Sequence, residues 1–141
     1  MKKVMALVFL ASVFVALTAT AQFVGSVVSF GDDARARAVG YNGNQFVVAG
    51  ERNGTGSIFT LNGSGSFTEW NVPFGGNSTI TSISRNAQWA TVQVDLGIYT
   101  ESYLLNVGTG SLTLIPRAPG ATSVHAWGVA NNGTVVGEDM Y

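Results

Sequence analysis

Residues 38–72, AVGYNGNQFVVAGERNGTGSIFTLNGSGSFTEWNV, decide the fold. Short apolar runs rich in Val, Ile, Phe and Trp alternate with clusters of Asn, Gly and Ser, the pattern of strands separated by tight turns. Strands are expected over 37–41, 45–49, 57–61 and 66–72. Asn42-Gly43-Asn44 joins the first two, because Asn and Gly tolerate the positive φ of a hairpin turn. The run Pro73-Phe74-Gly75-Gly76-Asn77 then ends the unit.

Working outward, the same order returns. Runs at 79–84 and 89–94 flank Arg85-Asn86-Ala87, and runs at 100–106 and 111–115 flank Val107-Gly108-Thr109-Gly110. Pro116 to Gly120 makes a second break. A third unit opens at 124–130, turns at Asn131-Asn132-Gly133 and returns through 134–137. Ser57, Gly63, Gly65, Ser66 and Thr68 recur unchanged at an offset of 45 residues, and Gln45 recurs as Gln88 at an offset of 43. Val48, Gly50 and Glu51 recur as Val135, Gly137 and Glu138 at an offset of 87, close to twice the period. The units span approximately 34–78, 79–123 and 124–141, the last incomplete.

Four strands in about 45 residues is the period of a propeller blade, a sheet that cannot cover both its faces alone and so stacks on copies of itself. The expected fold is all-β, with antiparallel four-stranded repeats forming a partial β-propeller of about two and a half blades. Closed propellers use roughly 4–8 blades. The count therefore leads us to expect either a piece of a longer frame or several copies assembling into a ring, with a distorted sandwich as a third arrangement.

The first 21 residues stand apart. Met1-Lys2-Lys3 is basic, residues 4–16 are apolar except Ser12, and Ala19-Thr20-Ala21 offers a small-x-small cleavage site. This is the layout of a bacterial export signal, with cleavage expected before Gln22. The apolar run falls short of the ~18–20 residues of a spanning helix, so no membrane span is expected after cleavage. The expected location is outside the cell, at its surface or in the periplasm. Residues 22–141 then form one domain, opening with a strand over 23–30.

Composition removes several function classes. Without Lys2 and Lys3 the domain has five Arg against eight Asp and Glu, a net charge of −3. The Arg are scattered, which argues against a nucleic-acid partner. Absence of Cys rules out disulfides, and one His with no Cys argues against a zinc site. No helical period is sustained after Ala21. The short run 32–38 has some helical character, but it sits where the other units begin a strand and is read as a turn and strand entry.

At Ala126-Trp127-Gly128-Val129-Ala130-Asn131-Asn132-Gly133-Thr134-Val135-Val136-Gly137 the chain resembles the bacterial extracellular HAF repeat. Ser102-Tyr103-Leu104-Leu105 followed by Gly108-Thr109-Gly110-Ser111-Leu112 resembles that repeat's second element, and 119–123 its linker. The first copy, 38–50 with Ser57-Ile58-Phe59, also looks like the BNR-like blades of secreted propellers. The resemblance implies a secreted propeller-like module with no shared catalytic set. The middle copy, Ser84-Arg85-Asn86-Ala87-Gln88-Trp89, lacks the motif's turn glycine. The turn 61–70 lacks the Asp of a sialidase Asp box, so no catalytic residue carries over.

Candidate chemistry is correspondingly sparse. His125 has no Gly-x-Ser-x-Gly elbow to serve. Glu51 and Glu138 occupy one repeat position, which repetition explains without catalysis. Asp32-Asp33 and Glu138-Asp139 lack the spaced ligands of a strong calcium loop and read as solvated turn residues. Trp89 and Phe46 share a repeat position within apolar runs and read as core. Trp70, Trp127 and Tyr99 are the candidate ligand contacts, able to stack on a sugar ring or grip a protein groove. No catalytic, cofactor or metal residue is assigned. The expected function is an exported module that binds or builds, with further blades, other copies, a glycan or a cell-surface protein as partner. The competing expectation is part of a carbohydrate-active hydrolase or lyase whose active site lies in other blades.

Overall fold

The computed structural model describes residues 29–63 and 65–141. The expected strand over 23–30 lies outside the described residues apart from Ser29 and Phe30, as does the export signal. The described chain is all-β. Its strands are β1 (Ala34–Tyr41), β2 (Phe46–Arg52), β3 (Thr55–Leu61), β4 (Phe67–Asn71), β5 (Ser78–Ile83), β6 (Trp89–Asp95), β7 (Thr100–Asn106), β8 (Ser111–Leu114), β9 (Ser123–Val129) and β10 (Val135–Met140). Asp32 and Asp33 form a turn and Ala34 enters β1, so the 32–38 run is no helix.

The strands form three antiparallel sheets in simple up-and-down order: β1-β2-β3-β4, β5-β6-β7-β8, and the pair β9-β10. Each sheet is one sequence unit. β5 lies across β1, β2 and β3, and β9 repeats the move by lying across β5, β6 and β7.

Side chains alternate along a strand, so each sheet has two distinct faces. Val47, Ala49 and Ile58 of the first sheet meet Ile80, Ala90, Val92 and Leu105 of the second in one core. The second sheet's other face carries Thr91, Gln93 and Ser102 towards β9. Backbone bonds identify which residues correspond. Asn53 N donates to the Asp33 carbonyl as Asp95 N does to Asn77, and Val72 N donates to Gly56 as Ile115 N does to Ser102. Ala49 therefore matches Thr91, and Ile58 matches Leu104: in both sheets these positions face the next sheet. The sheets stack front to back, each offering an equivalent face to its successor.

That correspondence sets Gly56, not Ser57, opposite Ser102, a slip of one residue from the identity alignment. Turn length is the cause. The β2–β3 connection has two residues against four in the second sheet, while the β3–β4 connection has five against four. Matching the Gly and Ser of the turns hides this, although a one-residue slip changes which face a side chain occupies.

A second repeated feature is a bulge in the first strand of every sheet. Arg37, Thr81 and Trp127 are each the extra residue in the pairing with the following strand. Gly50 and Gly137 sit opposite two of these bulges, where a Cβ would run into the carbonyl oxygen of Arg35 and of His125 respectively. The recurrent Val-x-Gly pattern thus marks a close backbone approach.

The outer face of the first sheet is partly covered by Phe30, whose ring lies 4.5 Å from Phe59 and 5.1 Å from Phe67. Arg52 ties this corner by donating to the Phe30 carbonyl and pairing with Glu69. Val39, Tyr41 and Phe46 on the first sheet, and Trp127 and Val136 on the third, remain exposed.

Candidate functional site

The turns β1–β2, β5–β6 and β9–β10 stand in a row at one end of the stack. Tyr41 N donates to the Arg85 carbonyl (2.8 Å), and Asn86 N donates to Asn131 Oδ1 (3.0 Å). The row follows from the repeat: equivalent hairpins on stacked sheets must end on the same side.

The two seams beneath this row differ. Between the second and third sheets, Asn86 Nδ2 also donates to the Asn131 carbonyl, which closes the seam at its mouth. Deeper in, Thr81 Oγ1 donates to the Ala126 carbonyl (2.9 Å) and shares a bond with Thr91 Oγ1. Ser102 Oγ donates to the Val124 carbonyl (2.8 Å) and accepts from Ala126 N (3.2 Å). The hydroxyls thereby satisfy the backbone of β9, which would be costly to bury unpaired.

Between the first and second sheets the Tyr41–Arg85 backbone bond crosses at this end, and among the described residues no side-chain bond joins it there. Asn42, like Asn86, caps its own hairpin, its Oδ1 accepting from Asn44 N (3.0 Å) and Gln45 N (2.8 Å) as Asn86 Oδ1 accepts from Gln88 N (3.2 Å). Among the described residues, however, the Asn42 NH2 reaches no neighbouring sheet. The seam opens into a cleft of about 580 Å³. The amides of Asn42, Gln45, Gln88 and Asn106 and the hydroxyl-bearing Thr60 line it, together with the apolar Val47, Ala87 and Val107. No ionisable side chain is among its lining residues. Asn106 repeats the geometry of Asn42, its Oδ1 accepting from Gly108 N and Thr109 N, both at 3.1 Å. Gln45 Nε2 donates to Asn62 Oδ1 (3.1 Å), which braces the wall of the cleft against the β3–β4 turn.

A smaller cleft of about 300 Å³ includes Glu51, Asn77, Thr79, Gln93 and Asp95. Glu51 lies 3.5 Å from both Arg35 and Arg37, and Asp95 Oδ1 accepts from Gly97 N. Two carboxylates share this cleft, but both are already engaged. Thr79 Oγ1 is buried there without a partner.

The three residues singled out from sequence are not gathered into one site. Trp70 packs over Gly110 of the second sheet, 3.5 Å from where a Cβ would stand, and Trp89 packs likewise over Gly133 of the third at 3.4 Å. Each ring therefore bridges one sheet to a turn of the next. Tyr99 lies at the other end of β7 from that turn, under the Arg117 guanidinium at 4.9 Å. Trp127 is exposed on the third sheet with its ring 5.6 Å from His125. Among the described residues no three His, Asp or Glu side chains converge as metal ligands.

Sequence reasoning missed the amides of the larger cleft. Asn42 was legible as a turn former, but the same Asn fixes its side-chain NH2 beside the seam, a consequence visible only once the sheets are stacked. Near the far end, Tyr103 packs on Phe74 and donates to Glu101 Oε2 (2.6 Å). That bond, then burial, then the charge of Glu101 push the phenol up to about 12.

Compared with known protein families, curated proteins and solved structures, the chain matches none. Among the described residues no helix is long and apolar enough to cross a membrane.

Proposed function

We infer that this chain is an exported module of the β-propeller type, acting by binding, or as a structural part, at the cell surface or outside the cell. The front-to-back stack of four-stranded sheets supports this reading above all else, because a propeller is built by handing one face of each sheet to the next. The HAF-like motif of the third unit and the three-part leader agree with it. Binding falls to the row of turns, where loops converge on an open seam. Exposed apolar faces on the first and third sheets offer places for further blades or further copies.

Expression with the native leader in a bacterial host tests the location. The exported chain should begin at Gln22 by mass spectrometry; a chain retaining Met1 in the exported fraction contradicts the reading. Incubation with a polysaccharide panel tests the enzyme alternative. We expect no product, and released oligosaccharide would favour a hydrolase or lyase.

A further inference from the structure

We propose that the cleft between the first and second sheets is a binding site for an uncharged glycan, read by amide groups that the turns hold in place. The proposal rests on the binding reading above and supplies its ligand class. The repeat itself shows that the cleft is a departure. In the neighbouring seam Asn86 reaches across to Asn131 and closes the mouth. In this seam the turns are joined by the Tyr41–Arg85 backbone bond, and the Asn42 NH2 reaches no neighbour among the described residues. A cleft of about 580 Å³ stays open beside it, within the range of small-molecule sites.

The chemistry of the wall selects the ligand. Asn42 and Asn106 each spend the side-chain oxygen on two backbone N–H groups, which fixes the rotamer and leaves the NH2 as the available group. Gln88 adds a further amide, whose Oε1 accepts from Asn86 Nδ2 and whose Nε2 has no protein partner among the described residues. Preorganised NH2 donors fit hydroxyl and ring oxygens, and the half-buried Val107 offers apolar surface for the C–H face of a sugar ring. An anionic ligand would find no cation here. An extended peptide is read by an unpaired strand edge, whereas this cleft is walled by sheet faces and turns.

The test is titration of the folded domain with cellohexaose, maltohexaose and mannohexaose, followed by side-chain amide NMR. Trigalacturonate and a neutral Gly-Ser peptide serve as the other arms. We expect at least one neutral hexasaccharide to shift the NH2 signals of Asn42 and Asn106 saturably. Asn42→Asp and Asn106→Asp keep the oxygen that caps the turn and remove the donor. Each should weaken binding about tenfold, the factor for a lost hydrogen bond of ordinary strength, with the backbone signals of Asn44, Gln45, Gly108 and Thr109 unmoved. The proposal is overturned if no neutral hexasaccharide shifts these signals at millimolar concentration. It is equally overturned if trigalacturonate or the peptide binds there instead, or if both Asp variants bind as wild type. A domain that ignores every sugar but keeps its stacked sheets sinks this proposal and leaves the architectural reading standing.

Discussion

The seam between the first and second sheets and the seam between the second and third use equivalent faces of one repeated unit, yet they are held by different forces. The first is chiefly apolar, Val47, Ala49 and Ile58 against Ile80, Ala90, Val92 and Leu105, with Ser78 Oγ accepting from Gly56 N at one end. The second is a layer of hydroxyls, with Thr81, Ser82, Thr91 and Ser102 bonded to one another or to the backbone of β9. The backbone thus dictates only which faces meet. Side chains decide whether burial or hydrogen bonding joins them, and the choice leaves one mouth open and the other shut.

Substitutions can break the two seams separately. Ile80→Ala hollows the apolar seam at a fully buried position and should cost about 2–5 kcal/mol by chemical denaturation. A loss below about 1 kcal/mol would mean that the first two sheets are not packed as described. Thr81→Val keeps the shape at the hydroxyl seam but removes the donor to the Ala126 carbonyl, for an expected loss of about 1–3 kcal/mol. Hydrogen exchange should show the extra opening in β9 and β10, not in β1 to β4.

Asn86→Ala removes the Nδ2 bond to the Asn131 carbonyl and the cap that Oδ1 gives Gln88 N but keeps the backbone bond to Asn131 Oδ1, so about 0.5–1.5 kcal/mol is expected in the same denaturation assay. The smallest effect concerns Tyr103. Its proton is held more tightly folded than unfolded, so its contribution is complete below about pH 10, the ordinary tyrosine value, and fades as pH rises towards about 12. The stability difference between wild type and Tyr103→Phe should therefore be flat up to the lower limit and shrink above it. A constant difference across that window would contradict the Glu101 bond.

Much of this was legible in the sequence. The strand order, the three units and their turns follow from apolar runs punctuated by Asn and Gly, because hairpin chemistry is local. Gly50 and Gly137 could be seen to correspond, although their reason, the bulge opposite, is a matter of backbone approach across strands. What sequence could not give is facing. Ser57 and Ser102 look equivalent by identity, but unequal turn lengths put Gly56 opposite Ser102. The cleft was hidden for the same reason: Asn42 and Asn86 read alike as turn residues, and only stacking reveals that one reaches its neighbour while the other does not.

The most direct test of the stack is a single NOESY spectrum read at two tryptophans. The account predicts contacts from the Trp70 ring to Gly110 and from the Trp89 ring to Gly133, one bridging each seam in the same direction. Absence of both contacts in the folded domain, or either ring contacting the sheet on the opposite side, would contradict front-to-back stacking.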